Sequence, residues 1–285
     1  MNSTSLPLVA TRIAAALVAC LAFPALAHEY WLAPSAYRAA AGDTLSVRAY
    51  VGTGFCGEPK PYAATRARVL DLRTDHVTDL RQVALNGGDD YARFVAPDAG
   101  GASISFESTF AIIQMPADEF DAYLKLEGLL GPLQARADKG LSVGPGRERY
   151  ARCCRTWIAG RDLSRALQPV GLTFEVFPLA DPAHGSTVPF RVLLRGKPLA
   201  GALVRAWRRP LLNDATPFLA SVRDSVPARF QARTRADGSV RVPVNAPGEW
   251  MISCVHMEPT DNSREADWQS YWANFTFART EPSAR

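Results

Sequence analysis

"RERYARCCRTWIAG", residues 147–160, lies between two β-rich stretches, and its reading sets how the chain is divided. Arg, Glu and Ala favour helices. At 3.6 residues per turn, Tyr150, Cys154 and Trp157 fall on one side. The segment therefore allows a helix, set off by the Pro/Gly linker "SVGPG" (142–146). Before that linker, "PADEFDAYLKLEGLL" (116–130) opens on Pro116 with acids in its first turn. It spaces Phe120, Tyr123, Leu124 and Glu127 as a helix does, and Gly128 can end it. Together these segments read as a helical region between two β-rich halves.

On either side the period drops to two. "DTLSVRAYVG" (43–52) puts Leu45, Val47 and Ala49 on one face and Thr44, Ser46 and Arg48 on the other, the signature of a half-buried strand. "RARVLDLRTDHVTDLRQVAL" (66–85) folds back around Thr74-Asp75-His76 as a hairpin, and "ASISFESTF" (102–110) is a further strand. Beyond Gly171, "LTFEVFPL", "PFRVLLRGKPLAGALVRAWRR", "SVRVPVNAPGEWMISCVHM" and "WANFTFA" alternate between turn signals, among them Asp237-Gly238. The expected fold is mainly β: two β-sandwich-like domains with a short helical insert, over 28–165 and 166–285.

Residues 1–27 are read as a leader. Their one charge is Arg12; the apolar run Ile13–Phe23 is shorter than the ~20 residues a spanning helix needs. Ala25-Leu26-Ala27 supplies a small-x-small cleavage site. The expectation is a signal peptide cut after Ala27, a periplasmic destination, and His28 as first residue of the mature chain. Two rivals are an uncut anchor and a lipoprotein box at Leu17-Val18-Ala19-Cys20, the latter with a short apolar run ahead of it. The chain is 47% hydrophobic and 21% charged, a globular composition. A net charge of +4 argues against a nucleic-acid partner. With no second long apolar run, no transmembrane segment is expected in the mature chain.

After the leader, the cysteines are Cys56, Cys153, Cys154 and Cys254. Oxidising compartments permit disulfides, and four cysteines allow three pairings. A bond between adjacent Cys153 and Cys154 is disfavoured by the short Cα separation; the other pairings stay open. The histidines are His28, His76, His184 and His256. As a mature N-terminus, His28 would offer an amine and an imidazole that close a small chelate ring. His256, on a strand face with Cys254 and Ile252, would add a third nitrogen. That set suits copper, nickel or zinc. Glu29, Glu58 and Glu107 are possible further ligands. His76 and His184 sit in a turn and a loop and read as solvated. The aromatic tail "DWQSYWANF" (267–275) reads as core in preference to a ligand groove. The chain has no Gly-x-Ser-x-Gly, His-Glu-x-x-His or phosphate loop, so no catalysis is expected.

Six stretches carry a resemblance across the chain: "AHEYWLAP", "DEFDAYLKLEGL", "RERYAR", "GLTFEVFPLADP", "GKPLAGALV" and "GEWMISCVHM…ADWQSYWANFTF". They resemble a bacterial periplasmic family of unassigned function often labelled a nickel-uptake or nickel-transport component. The second half is similar to prealbumin-like or carboxypeptidase-regulatory-like sandwiches. The resemblance implies an exported protein that holds or delivers a divalent transition metal (nickel, cobalt or copper) for uptake, with a membrane transporter as possible partner. Against the family's pattern, Cys56, Cys153-Cys154 and Cys254 suggest added crosslinks. The alternative is a structural or ligand-recognition β-sandwich module without metal. A histidine-brace copper oxidase ranks below both.

Overall fold

The computed structural model describes residues 29–96, 98–211 and 227–280. The leader and His28 lie outside the described residues. Strands, numbered in chain order, are β1 (Glu29–Pro34), β2 (Thr44–Thr53), β3 (Cys56–Lys60), β4 (Ala67–Arg73), β5 (Val77–Asp79), β6 (Asp90–Val95), β7 (Ala102–Ser108), β8 (Ala111–Met115) and β9 (Gly146–Ile158). They continue as β10 (Phe174–Pro178), β11 (Thr187–Leu194), β12 (Lys197–Pro198), β13 (Leu203–Arg209), β14 (Phe230–Arg233), β15 (Ser239–Pro243), β16 (Gly248–Pro259) and β17 (Trp268–Arg279). Helices are α1 (Ala117–Leu126), α2 (Leu130–Asp138) and α3 (Ser164–Leu167). The fold is mainly β, as the alternation implies.

The segment 147–160 is not a helix. It forms β9, antiparallel to β7 and parallel to β17. Helix propensity is a weak prior, and here tertiary pairing overrides it. Ala151, Cys153 and Trp157 enter one core while Cys154 and Ile158 enter another. Burial on both faces removes the apolar/polar alternation that marks a strand. The charge that also disguised it is satisfied internally: Arg155, 2% exposed, donates to Ser103 Oγ (2.8 Å) and to the Gln168 and Arg165 carbonyls.

This strand joins the halves. The nine-stranded sheet runs β14-β13-β16-β17-β9-β7-β4-β5, with β8 also paired to β9. Strands from both sides of residue 165 therefore hydrogen-bond in one sheet, and the β9–β17 junction aligns Glu148 with Trp268. One face is covered by a four-stranded sheet of β10, β11, β12 and β15. Phe174, Phe190, Trp250, Phe275 and Phe277 fill the space between.

On the other face sits the helical insert. Asp118 and Glu119 lie in the first turn of α1, where acids complement the helix dipole. Phe120, Tyr123 and Leu124 are buried against Val255, Trp268 and Trp272, each apolar side chain contributing roughly 1.5–3 kcal/mol. Gly128, at φ +67°, turns the chain out of the helix. Trp268, Tyr271 and Trp272 are all buried, so the aromatic tail is core.

Beside the insert stands a four-stranded sheet of β1, β2, β3 and β6. Leu45, Val47 and Ala49 point into its core as expected. Among the described residues β1 pairs only with β2, and side chains of the large sheet reach its other edge. The Tyr30 carbonyl accepts from Cys154 Sγ and Asn274 Nδ2, and the Leu32 carbonyl from Thr276 Oγ1 (2.7 Å). An edge that would otherwise be left bare is thus capped by side chains.

Candidate functional site

That docking fixes where β1 begins. Glu29 is 4% exposed, and its Oε2 has no hydrogen-bond partner. Burial above all, then the nearby Glu127 carboxylate, push its pKa up to about 7; Arg205 and Arg152 oppose the rise. Glu127 is held by Arg205, whose guanidinium also reaches the Leu126 carbonyl. Glu148 lies on the same face. It accepts from Tyr123 Oη (3.2 Å) and Ser270 Oγ, and burial raises it to about 7. Arg152 is clamped over the rings of Tyr150 (4.8 Å) and Trp272 (4.6 Å). Its charge lowers the pKa of Glu29, Glu127 and Glu148 alike. Three carboxyls thus face two guanidiniums on the insert side of the large sheet, with one carboxylate oxygen unanswered.

The other sequence candidates are scattered. His256 shares the face of Cys254 and Ile252, as expected, but that face is turned away from Glu29. Its neighbours are Phe174 (6.2 Å between ring centroids) and Glu258 (Nε2–Oε2 3.6 Å). Burial lowers its pKa, so its ring favours the neutral form. At the open end of β13, a cavity of about 240 Å³ is lined by both Glu127 and His256. Glu107 is buried and engaged by Arg68 (2.6 Å) and the Thr173 amide (2.9 Å). Glu58 is exposed beside Lys60. His76 and His184 are exposed, paired with Asp75 and Asp181. Among the described residues, no group of three or more His, Cys, Asp or Glu side chains is placed to hold a metal ion.

In the structure Cys56, Cys153, Cys154 and Cys254 are free thiols. Cys153 and Cys254 face the same core, but each is registered against Ala273 of the intervening β17. Two strand spacings, ~9.6 Å, separate them, beyond disulfide reach. Cys154 faces the opposite core, and Cys56 lies at the start of β3 opposite Thr53. Burial pushes the Cys154 thiol up to about 12 and Cys153 well above its ordinary value.

A second concavity lies on the other side of Arg152. A cavity of about 230 Å³ is lined by Tyr30, Tyr91, Phe106 and Tyr150, with Lys60, Arg66 and Arg152 around them. Tyr30 stacks on Phe106 (5.7 Å, 21°), and Tyr91 meets Phe106 edge-on (5.3 Å, 73°). The Tyr30 and Tyr91 hydroxyls hydrogen-bond.

Sequence reasoning missed Glu127, Glu148, Arg152 and Arg205. A signal existed for Glu127: an acid at a helix C-terminus opposes the helix dipole. With "RERYAR" read as a strand, period two places Glu148, Tyr150 and Arg152 on one face. Nothing local marks Arg205.

A family model described as Domain of unknown function (DUF4198) matches residues 25–258, and the chain belongs to that family. No curated protein matches the chain. No helix among the described residues is long and apolar enough to cross a membrane.

Proposed function

We propose, from this family membership and the geometry at the start of β1, an exported periplasmic protein that binds a divalent transition metal ion and holds or delivers it for uptake. One observation carries the reading: a buried carboxylate oxygen, Glu29 Oε2, has no hydrogen-bond partner. It belongs to the residue following His28 in the sequence. A buried polar atom without a partner is costly, and coordination of a cation would remove that cost. Export and cleavage after Ala27 would give His28 a free amine beside its imidazole. With the Glu29 carboxylate they make a mixed N/O donor set, suited to nickel, cobalt or copper.

His256 is not in this donor set, because its ring faces Phe174 and Glu258 on the other side of the sheet. The resemblance of the sequence to periplasmic nickel-uptake components favours the same reading. The role is coordination and hand-over, with no reaction catalysed.

Calorimetric titration of the exported protein with nickel and with copper tests this. Stoichiometric binding is expected, weakened at least about tenfold by Glu29→Gln and by one alanine inserted before His28, and unchanged in His256→Ala. Absence of stoichiometric binding overturns the proposal, as does affinity that survives both changes near residue 28. A loss confined to His256→Ala overturns the donor set.

A further inference from the structure

We infer that the cavity between β1, β6, β7 and β9 is a binding site for a small planar organic anion, of which an aromatic carboxylate is the simplest member. It is a different site from the metal donors proposed above and needs no metal ion.

The lining argues for each part of that ligand. Its described lining residues include three cations, Lys60, Arg66 and Arg152, and no Asp or Glu. Such a concavity attracts negative charge, and its apolar walls strengthen the attraction by keeping water out. The buried end is aromatic: Tyr91 and Phe106 are 2% and 3% exposed and packed with Tyr30 into a floor of rings, and the partly exposed rings of Tyr30 and Tyr150 are the ones a flat ligand ring would meet. Hydroxyl-bearing residues line it at Tyr30, Tyr91, Tyr150 and Ser108, the Tyr30 and Tyr91 hydroxyls bonding to each other and Tyr91 also meeting the Pro61 carbonyl (3.4 Å).

Not all of this polarity faces a ligand. Arg66 donates to the Phe110 carbonyl (2.9 Å), and Ser108 Oγ accepts from the Arg152 amide (2.9 Å). Lys60 meets Glu58 at 3.4 Å in an exposed pair, of the kind worth little in water. Arg152, held between two rings, shares its field with Glu29, Glu127 and Glu148. The charge available to an incoming anion is therefore concentrated at the rim, on Lys60 and Arg66.

Size narrows the class. At about 230 Å³ the cavity lies at the small end of ligand sites, which suits a ligand of one substituted ring.

The experiment titrates the exported protein, with a chelator present, against benzoate, its neutral isostere benzamide, and the non-planar cyclohexanecarboxylate. Benzoate is expected to bind at least about tenfold tighter than benzamide and several-fold tighter than cyclohexanecarboxylate. Arg66→Gln and Lys60→Met, both at the rim, are each expected to weaken benzoate several-fold. The double variant should bring it to the benzamide level. Unfolding midpoints of these variants, matched to the parent, separate lost binding from lost folding. No benzoate binding in the millimolar range overturns the inference. So do equal affinities for benzoate and benzamide, variants that bind as the parent does, or binding that appears only when nickel is added. Because a chelator is present, failure here leaves the metal reading standing, and failure of nickel binding leaves this one standing.

Discussion

Glu29→Gln should make the protein more resistant to unfolding at pH 8 than at pH 5, relative to the parent. Glu29 has a pKa raised to about 7 from an ordinary 4.5. Below pH 4.5 the carboxyl is protonated whether the chain is folded or not, and it contributes nothing to the pH dependence. Between 4.5 and 7 the unfolded chain releases its proton while the folded one keeps it, so each pH unit lowers stability by about 1.4 kcal/mol. Above 7 the loss is complete, about 3 kcal/mol over the shift. Glutamine cannot ionise, so the variant lacks this decline; any fixed cost of its amide is the same at both pH values. Urea unfolding of parent and variant at pH 5 and pH 8 should show the stability difference moving by about 2–3 kcal/mol in favour of glutamine at the higher pH. Taking differences cancels the other titrating groups, Glu148 included, apart from their coupling to Glu29. A difference that stays constant with pH would refute the placement of Glu29 in a dry, acid-lined recess. Nickel in excess of both dissociation constants should stabilise the parent at pH 8 by about 1.4 kcal/mol more than the variant, the equivalent of a tenfold difference in affinity.

Arg209→Met should cost about 3–5 kcal/mol. It strands Glu249, which is fully buried and held by Arg209 and by Tyr37 Oη (2.7 Å); adding Glu249→Gln should recover part of the loss in denaturant titration. Gly146→Ala should destabilise by about 1–3 kcal/mol, because a Cβ there would stand 2.0 Å from Phe120 Cγ; an unchanged unfolding midpoint would refute the packing of α1 on β9. A thiol reagent should label Cys56 in the native protein and reach Cys153, Cys154 and Cys254 only in denaturant, with reductant leaving stability unaltered; protection of Cys56 in oxidised protein alone would indicate a disulfide.

Local chemistry was sufficient for much of the chain. Leu45, Val47 and Ala49 alternate because one face of β2 meets a core and the other meets polar surroundings. The acids of the first turn, Phe120, Tyr123, Leu124 and Gly128 specify α1 from its own residues. The hairpin around Thr74–His76 formed where it was expected, with Arg73 opposite Val77. The aromatic tail went to the core, because apolar area of that size is strongly driven from water.

Only the tertiary structure decided the rest. β9 lies inside the sheet between β7 and β17 and packs a different core on each face, so little of it is left to water and no clean apolar/polar period survives in its sequence to identify it. Its parallel partner lies 120 positions away, at a register no local signal encodes. The recess around Glu29 draws on β1, the end of α1, β9 and β13, which approach one another only when the sheets assemble. Spacing along a chain reports chemistry on one helix or one strand. Charges gathered from four elements are visible only once the distances between those elements exist.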